Sequence, residues 1–284
     1  MFMLYVVATP IGNLEDITLR AIRVLREVGL IAAEDTRKTK RLLASYGINT
    51  RLTSYHEYSK EAKLAYLLEQ LQSTDVALVS EAGMPGVSDP GYGLVTAAIK
   101  EGIRVVPIPG TSAITAAIAV SGMPAQEFKY VGFLPRKKRE RMKFLESLVG
   151  ESCTIVAFES PHRLLEGLKD LMDAMGDRNI AVARELTKFH EEVFRGNISG
   201  AIEHFANPRG EFTLVVEGSQ ESKGCAITPE IEDELRVLRS QGVGAKKAVS
   251  TLMTTKRLRR GDVYEAWLKL DRDETKRMFP SLDD

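Results

Sequence analysis

The chain has 284 residues, more than one typical domain of roughly 100–150, and its 39 basic residues cancel its 39 acidic ones, so bulk charge selects no polyanionic partner. Two cysteines, Cys153 and Cys225, without a CxxC argue against a disulfide framework and suit a reducing, cytoplasmic compartment, while four scattered histidines spell no metal site. No apolar run reaches the roughly 18 residues of a membrane span, and MFMLYVVATPIGN lacks the basic start and cleavage site of a leader, so it reads as a buried strand.

MLYVVAT is the first strand, stopped by Pro10 and Gly12. DITLRAIRVLREVG puts Leu19, Ile22, Leu25 and Val28 on one helical face, with Gly29 as cap. LIAAE is a second strand, TRKTKRLLASYG a helix ending at Gly47, and EYSKEAKLAYLLEQLQS a further amphipathic helix. DVALVS (strand), GYGLVTAAIKEG (helix), RVVPIPG (strand) and TSAITAAIAVSG (helix, closed by Gly122) complete a first series. Nearly continuous apolar strands alternating with helices predict a mainly parallel sheet covered on both faces.

After MPAQEF the pattern restarts with KYVGFLP, RKKRERMKFLESLVG, CTIVAFES, PHRLLEGLKDLMDAMG and NIAVAREL, alternately strand and helix. TKFHEEVFRGNISGAIEHFAN reads as a turn and a helix, and GEFTLVVEG as the strand that closes a second sheet containing antiparallel neighbours. Polar SQESKGCAITP, residues 219–229, reads as a linker to short helices in EIEDELRVLRSQG, GAKKAVSTLMTT and RGDVYEAWLKL. The expectation is an α/β protein with two αβα domains, over 1–118 and 119–220, and a small helical domain over 228–284.

Three glycine-bearing turns follow strands of the first series: ATPIGNLED, SEAGMPGVSDPG and PIPGTSA. Such turns lie where open α/β sheets bind ligands, and glycine there allows close backbone approach. None spells GxxxxGK[ST] or a GxGxxG opening a helix. Prolines among the glycines stiffen the loops and remove N–H donors, which suits a ligand that is not strongly anionic.

TPIGNLEDIT, AAEDTRKTKRLL, VSEAGMPGVSDPG, PIPGTSA, GFLPRK, FESPHR, ARELTKFHEE and GEFTLVVEG, in that order, resemble the tetrapyrrole-methylase-like superfamily of S-adenosylmethionine-dependent methyltransferases, from Leu4 to about Gly218. AEDTR and ESPHR are similar to its branch acting on small-subunit ribosomal RNA and unlike the precorrin methylases; Glu81 departs from the aspartate expected in many relatives. The resemblance implies a cofactor held between two αβα domains, a homodimer, and 2′-O-methylation of a cytidine ribose in the decoding region of 16S rRNA within the 30S subunit. It also implies that Gly83, Gly86, Val87, Ser88 and Asp89 pass near the methionine part of the cofactor. Phe158, Glu159, Leu186 and Thr213 would then face adenine and ribose, with Thr9 and Pro10 beneath the transferred methyl. Gly110, Thr111, Ser112 and Ala113 start a helix whose free N–H groups suit a carboxylate.

Methyl transfer to a ribose hydroxyl profits from a proton acceptor. The catalytic candidates are Glu34, Asp35 and Glu185, with His190, Glu191, a water and a substrate phosphate left open. RNA contact needs clustered cations: Arg37, Lys38 and Arg41; Arg136, Lys137 and Lys138; Arg163; Arg184 and Lys188; and Lys246, Lys247 and Arg257 in the tail. Few aromatics interleave with these charges, so the sequence shows no evident stacking platform. Two other readings stay open, a methylase of the same fold acting on a tetrapyrrole or a modified protein side chain, and a non-catalytic RNA-binding assembly factor. The missing P-loop and metal cluster disfavour a nucleotide hydrolase.

Overall fold

Residues 2–56, 61–219, 228–256 and 263–270 are described by a computed structural model. The chain divides into one unit of Met1–Glu146 with Thr154–Glu217 and another of Ser147–Cys153 with Gly218–Asp284.

In the first unit, strands β1 (Met3–Val7), β2 (Leu30–Ala33), β3 (Leu52–Ser54), β4 (Val76–Val79) and β5 (Arg104–Ile108) form a sheet in the order β3-β2-β4-β1-β5. Every pairing is parallel. Helices α1 (Leu19–Glu27), α2 (Thr36–Ser45), α3 (Glu61–Gln70) and α4 (Tyr92–Lys100) connect the strands. Alternate strand residues point to opposite faces: Ile31, Ala33, Ala77 and Val79 pack with Val24, Leu25 and Leu43 of α1 and α2. Leu30, Ala32, Val76 and Leu78 pack with Leu67 and Leu94 of α3 and α4. Each fully buried leucine contributes about 1.5–3 kcal/mol, so both faces are covered by necessity. The unpredicted element here is β3, only three residues long and without a fully buried side chain. The predicted EYSK start of the third helix, residues 57–60, lies outside the described residues.

Because α1 and α4 cover opposite faces, the connections diverge between β1 and β4, and the carboxyl ends of those strands meet at the switch point. There Thr9 and Gly83 exchange two backbone hydrogen bonds of 2.9 Å.

The second sheet contains β6 (Phe128–Phe133), β7 (Thr154–Glu159), β8 (Asn179–Arg184), β9 (Glu192–Asn197) and β10 (Phe212–Val216), in the order β6-β7-β10-β8-β9. β6 and β7 are parallel, whereas β10 is antiparallel to both β7 and β8. Two expectations are corrected. The segment before α8 (Ile198–His204) is the edge strand β9, whose mixed, half-exposed EVFRGN hides its β character. FTLVV sits in the middle of the sheet rather than closing it, which is why all five of its residues are buried. Helix α6 (Lys138–Glu146) packs beside α7 (Pro161–Met175). Helix α5 (Ala113–Ser121) follows a strand of the first sheet, yet it lays Ala117 and Ile118 on Val156, Ala181, Ala183 and Val215 of the second.

In the other unit, α9 (Pro229–Ser240), α10 (Ala245–Lys256) and a helix over 263–270 share a small core of Leu235, Ala248, Leu252, Val263 and Trp267. The Arg239 guanidinium lies 5.5 Å from the centre of the Trp267 ring. Residues 220–227 of the expected linker lie outside the described residues.

Candidate active site

The base of the glycine-rich loop after β4 is fastened by residues that follow the neighbouring strands. Thr9 Oγ1 donates to the Ser80 carbonyl at 3.3 Å, and the Thr111 hydroxyl donates to the Thr9 carbonyl at 2.5 Å, so the ends of β1, β4 and β5 are tied together. Gly83 adopts φ +76°, a left-handed conformation that only glycine takes without strain. Ser88 adopts φ +60° despite having a side chain, which its hydroxyl anchors by a 2.6 Å hydrogen bond to Tyr130 of β6.

This loop forms one wall of a cavity of about 420 Å³, in the range of small-molecule and cofactor sites. Glu81, Gly83, Met84, Val87, Ser88 and Asp89 line that wall. The start of α5 contributes Ser112, Ala113 and Ile114. The opposite wall is made by strand ends of the second sheet: Phe133, Phe158 and Glu159, Ala183 and Leu186, and Glu211, Phe212 and Thr213. Phe133 and Tyr130 both meet Phe158 edge to face, at 5.6 and 5.3 Å between ring centres.

Carboxylates crowd one rim. Burial, with the charge of Glu34 and then Glu81 added and a Ser80 hydrogen bond opposing, pushes the Asp89 carboxyl up to about 6. Burial likewise raises Glu34, although it accepts the Glu81 N–H at 3.3 Å. Asp35 behaves differently. It caps α2, accepting the N–H groups of Arg37 at 2.8 Å and Lys38 at 3.3 Å, and these bonds lower its pKa. Burial alone would raise Glu185, but the Lys188 ammonium and the Glu211 N–H, each 2.9 Å from its Oε1, hold it below the usual carboxylate range.

Among the residues singled out in the sequence, Gly83, Val87, Ser88, Asp89, Ser112, Ala113, Phe158, Leu186 and Thr213 line the cavity. Thr9 and Thr111 lie behind it as fasteners, and neither Pro10 nor Gly86 is part of its lining. Ile11, Phe133, Glu211 and Phe212 line it without having been singled out; Phe133 and Phe212 are brought there by strand pairings that local sequence does not display.

The basic candidates separate. Arg41, Arg136, Lys137 and Lys138 are exposed, as are Lys246 and Lys247 in the other unit; Arg257 lies outside the described residues. Arg37 is exposed beside Asp35, and Lys38 pairs with Glu81. Arg163 bonds Glu159 at 2.7 Å and the Leu134 carbonyl at 2.9 Å, Arg184 bonds Glu192 at 3.2 Å, and Lys188 sits between Glu185 and Glu211. Arg141, within the basic run before β7, is 1% exposed and grips Asp170 with Nη2 at 2.6 Å, so its charge is withdrawn from the surface. Among the described residues no group of three or more His, Cys, Asp or Glu is placed to hold a metal, and no helix is long and apolar enough to cross a membrane.

Residues 3–201 match the model of the tetrapyrrole (corrin/porphyrin) methylases. The chain belongs to the tetrapyrrole methylase family. Within that family it is 44% identical to the ribosomal RNA small subunit methyltransferase I of Halalkalibacterium halodurans, over 93% of this chain and 94% of the relative. It is 51% identical to the protein of that name from Thermotoga maritima, over 78% of this chain and all of the relative. A solved diphthine synthase superposes with a TM-score of 0.60 at 17% identity, over 76% of this chain and 90% of that one. A cobalt precorrin-4 methyltransferase gives 0.56 at 18%, over 76% and 94%. These two likenesses concern the fold alone.

The family cofactor is S-adenosylmethionine, and the cavity suits its chemistry. Asp89 offers negative charge to a cationic ligand, and Phe133 and Phe158 offer ring surface to an adenine. The first turn of α5 offers N–H groups to a carboxylate, since its cap residue, Ser112, makes no side-chain bond to that turn.

Proposed function

We propose that this protein methylates the 2′-hydroxyl of a cytidine ribose in the decoding region of 16S rRNA, acting as a cytoplasmic homodimer on the 30S subunit. The observation that carries the reading is the continuous match, at 44% identity over 93% of the chain, to a protein named for small-subunit ribosomal RNA. The corrin and diphthine enzymes share the fold at under a fifth identity, which gives their substrates little weight here.

When bound, S-adenosylmethionine supplies an electrophilic methyl group on a sulfonium. Gly83 and the start of α5 would hold it from one wall, and the aromatic pair Phe133–Phe158 would face it from the other. Fixed dipoles in place of bulk water favour a step in which positive charge disappears. Much of the acceleration comes from holding the ribose oxygen in line. Asp89 is the carboxylate suited to accept the hydroxyl proton, because it lines the cavity and titrates near neutrality. The charge of Glu34 adds to its basicity. Asp35 and Glu185 are poor bases, since backbone N–H groups and a lysine already occupy their oxygens.

The test incubates the full chain and S-adenosylmethionine with 30S subunits from cells lacking the corresponding gene, followed by nuclease digestion and mass spectrometry of the nucleosides. One new 2′-O-methylcytidine per 16S rRNA is expected. Cofactor binding by calorimetry without any methyl on RNA would leave a methylase of another substrate. Absence of cofactor binding would leave an RNA-binding assembly factor.

A further inference from the structure

The segment joining β8 to β9 carries a side chain that the site described above does not use. Phe189 is 97% exposed, more than any other large apolar residue of the described chain. Its ring stands roughly perpendicular to that of His190, with 5.0 Å between centres. An aromatic in this position loses its full burial energy to water, so the way it is held matters.

The loop beneath it is built to stay still. Glu185 and Thr187 adopt φ of +50° and +65°, and for a β-branched threonine that is a strained conformation which the surroundings must impose. They do so at several points. The Glu191 carboxylate accepts the Thr187 N–H at 2.6 Å. The Lys188 and Glu191 N–H groups donate to the Glu185 and Lys188 carbonyls at 3.0 Å. The Thr187 hydroxyl accepts the Asn13 N–H at 3.0 Å, fixing this loop to the one after β1. Gly12 packs so closely below that an added Cβ would lie 2.8 Å from the Leu186 carbonyl oxygen. Leu186, three residues before Phe189, lines the cavity, and Lys188 is bonded to Glu211, which also lines it.

Charge does not explain the presentation. Lys188 is neutralised by Glu185 and Glu211, and Arg184 by Glu192. The segment therefore has little grip to offer a phosphate, and the ring face is what it leaves uncommitted. A lone aromatic amid charged neighbours is a poor core for a protein interface, which concentrates apolar area, but it matches one unpaired base. Sequence-specific RNA recognition works largely by splaying such bases onto aromatic rings.

We infer that Phe189 is a positioning residue, on which an unpaired nucleobase next to the target nucleotide stacks and so sets the target ribose over the cavity. This rests on the proposed RNA substrate. The experiment compares wild type, Phe189→Ala, Phe189→Leu and Phe189→Trp, all full-length, for methyl transfer to unmodified 30S subunits, for S-adenosylmethionine affinity by calorimetry and for mass by sedimentation. The alanine variant is expected to raise KM for the subunit roughly 5- to 150-fold, the range spanned by loss of one base–aromatic stack. Cofactor affinity and mass should stay unchanged, tryptophan should restore KM and leucine should not. An unchanged alanine variant, rescue by leucine equal to that by tryptophan, or a smaller particle in sedimentation would each overturn the stacking while leaving the methylase reading intact. A wild type that transfers no methyl to the subunit would remove the functional reading and this one together.

Discussion

Ser88 Oγ and the Tyr130 hydroxyl lie 2.6 Å apart, joining the glycine-rich loop of the first sheet to the edge strand β6 of the second. Ser88 is the loop residue that holds a positive φ without being glycine, so this bond supports a conformation the backbone would otherwise leave. Tyr130→Phe keeps the ring and its contact with Phe158 but removes the hydroxyl. A net hydrogen bond contributes about 0.5–1.5 kcal/mol. Cofactor affinity measured by calorimetry should fall about 2- to 12-fold, with little change in Tm.

Asp89 sets a pH dependence. Its carboxyl is raised from 3.8 to about 6 by burial and by Glu34 and Glu81, so the folded chain binds this proton more tightly than the unfolded chain. The stability linked to the protonated form is complete below the unfolded value and is lost as pH rises through about 6. Asp89→Asn should therefore raise Tm near pH 7 and leave it almost unchanged near pH 4. Methyl transfer should rise with pH through the same range in the wild type and be low and flat in the variant. A sigmoid retained by Asp89→Asn would assign the titration to another group.

Arg141 and Asp170 make a buried pair of opposite sign, each 1–3% exposed in its side chain. Truncating one partner leaves a charge in an apolar layer, which costs about 3–5 kcal/mol. Arg141→Met should lower stability by about that amount in urea unfolding, moderated because Lys138 lies 3.7 Å from Asp170. Combining it with Asp170→Leu should recover most of the loss. Recovery would show that the pair is a packing device and not part of a basic RNA surface.

The first sheet was legible because its strands are apolar on both faces and its helices follow period 3.6, as Leu25 and Leu43 against Ile31 illustrate. Of the four edge strands, β5 and β6 were legible as apolar runs, whereas β3 and β9 were not, being short or mixed in polarity and partly exposed. The cavity divides along the same line. Gly83 and Asp89 stand in a loop whose composition announces it. Phe133 and Phe212 arrive by pairings across dozens of residues, and a local pattern cannot encode them. Phe189 escaped notice for a further reason: between Lys188 and His190 it reads as one apolar residue in a turn, and only solvent exposure distinguishes it from a core side chain.

The placement of β10 has a consequence for synthesis. β7 and β8 emerge from the ribosome well before residues 212–216, yet in the finished sheet neither touches the other; each hydrogen-bonds to β10. Until that late segment arrives, two apolar strands present bare edges, the hazard that drives misassociation. A nascent chain stopped short of Phe212 should therefore depend on chaperone holding, and the final five residues of the sheet act as its zip.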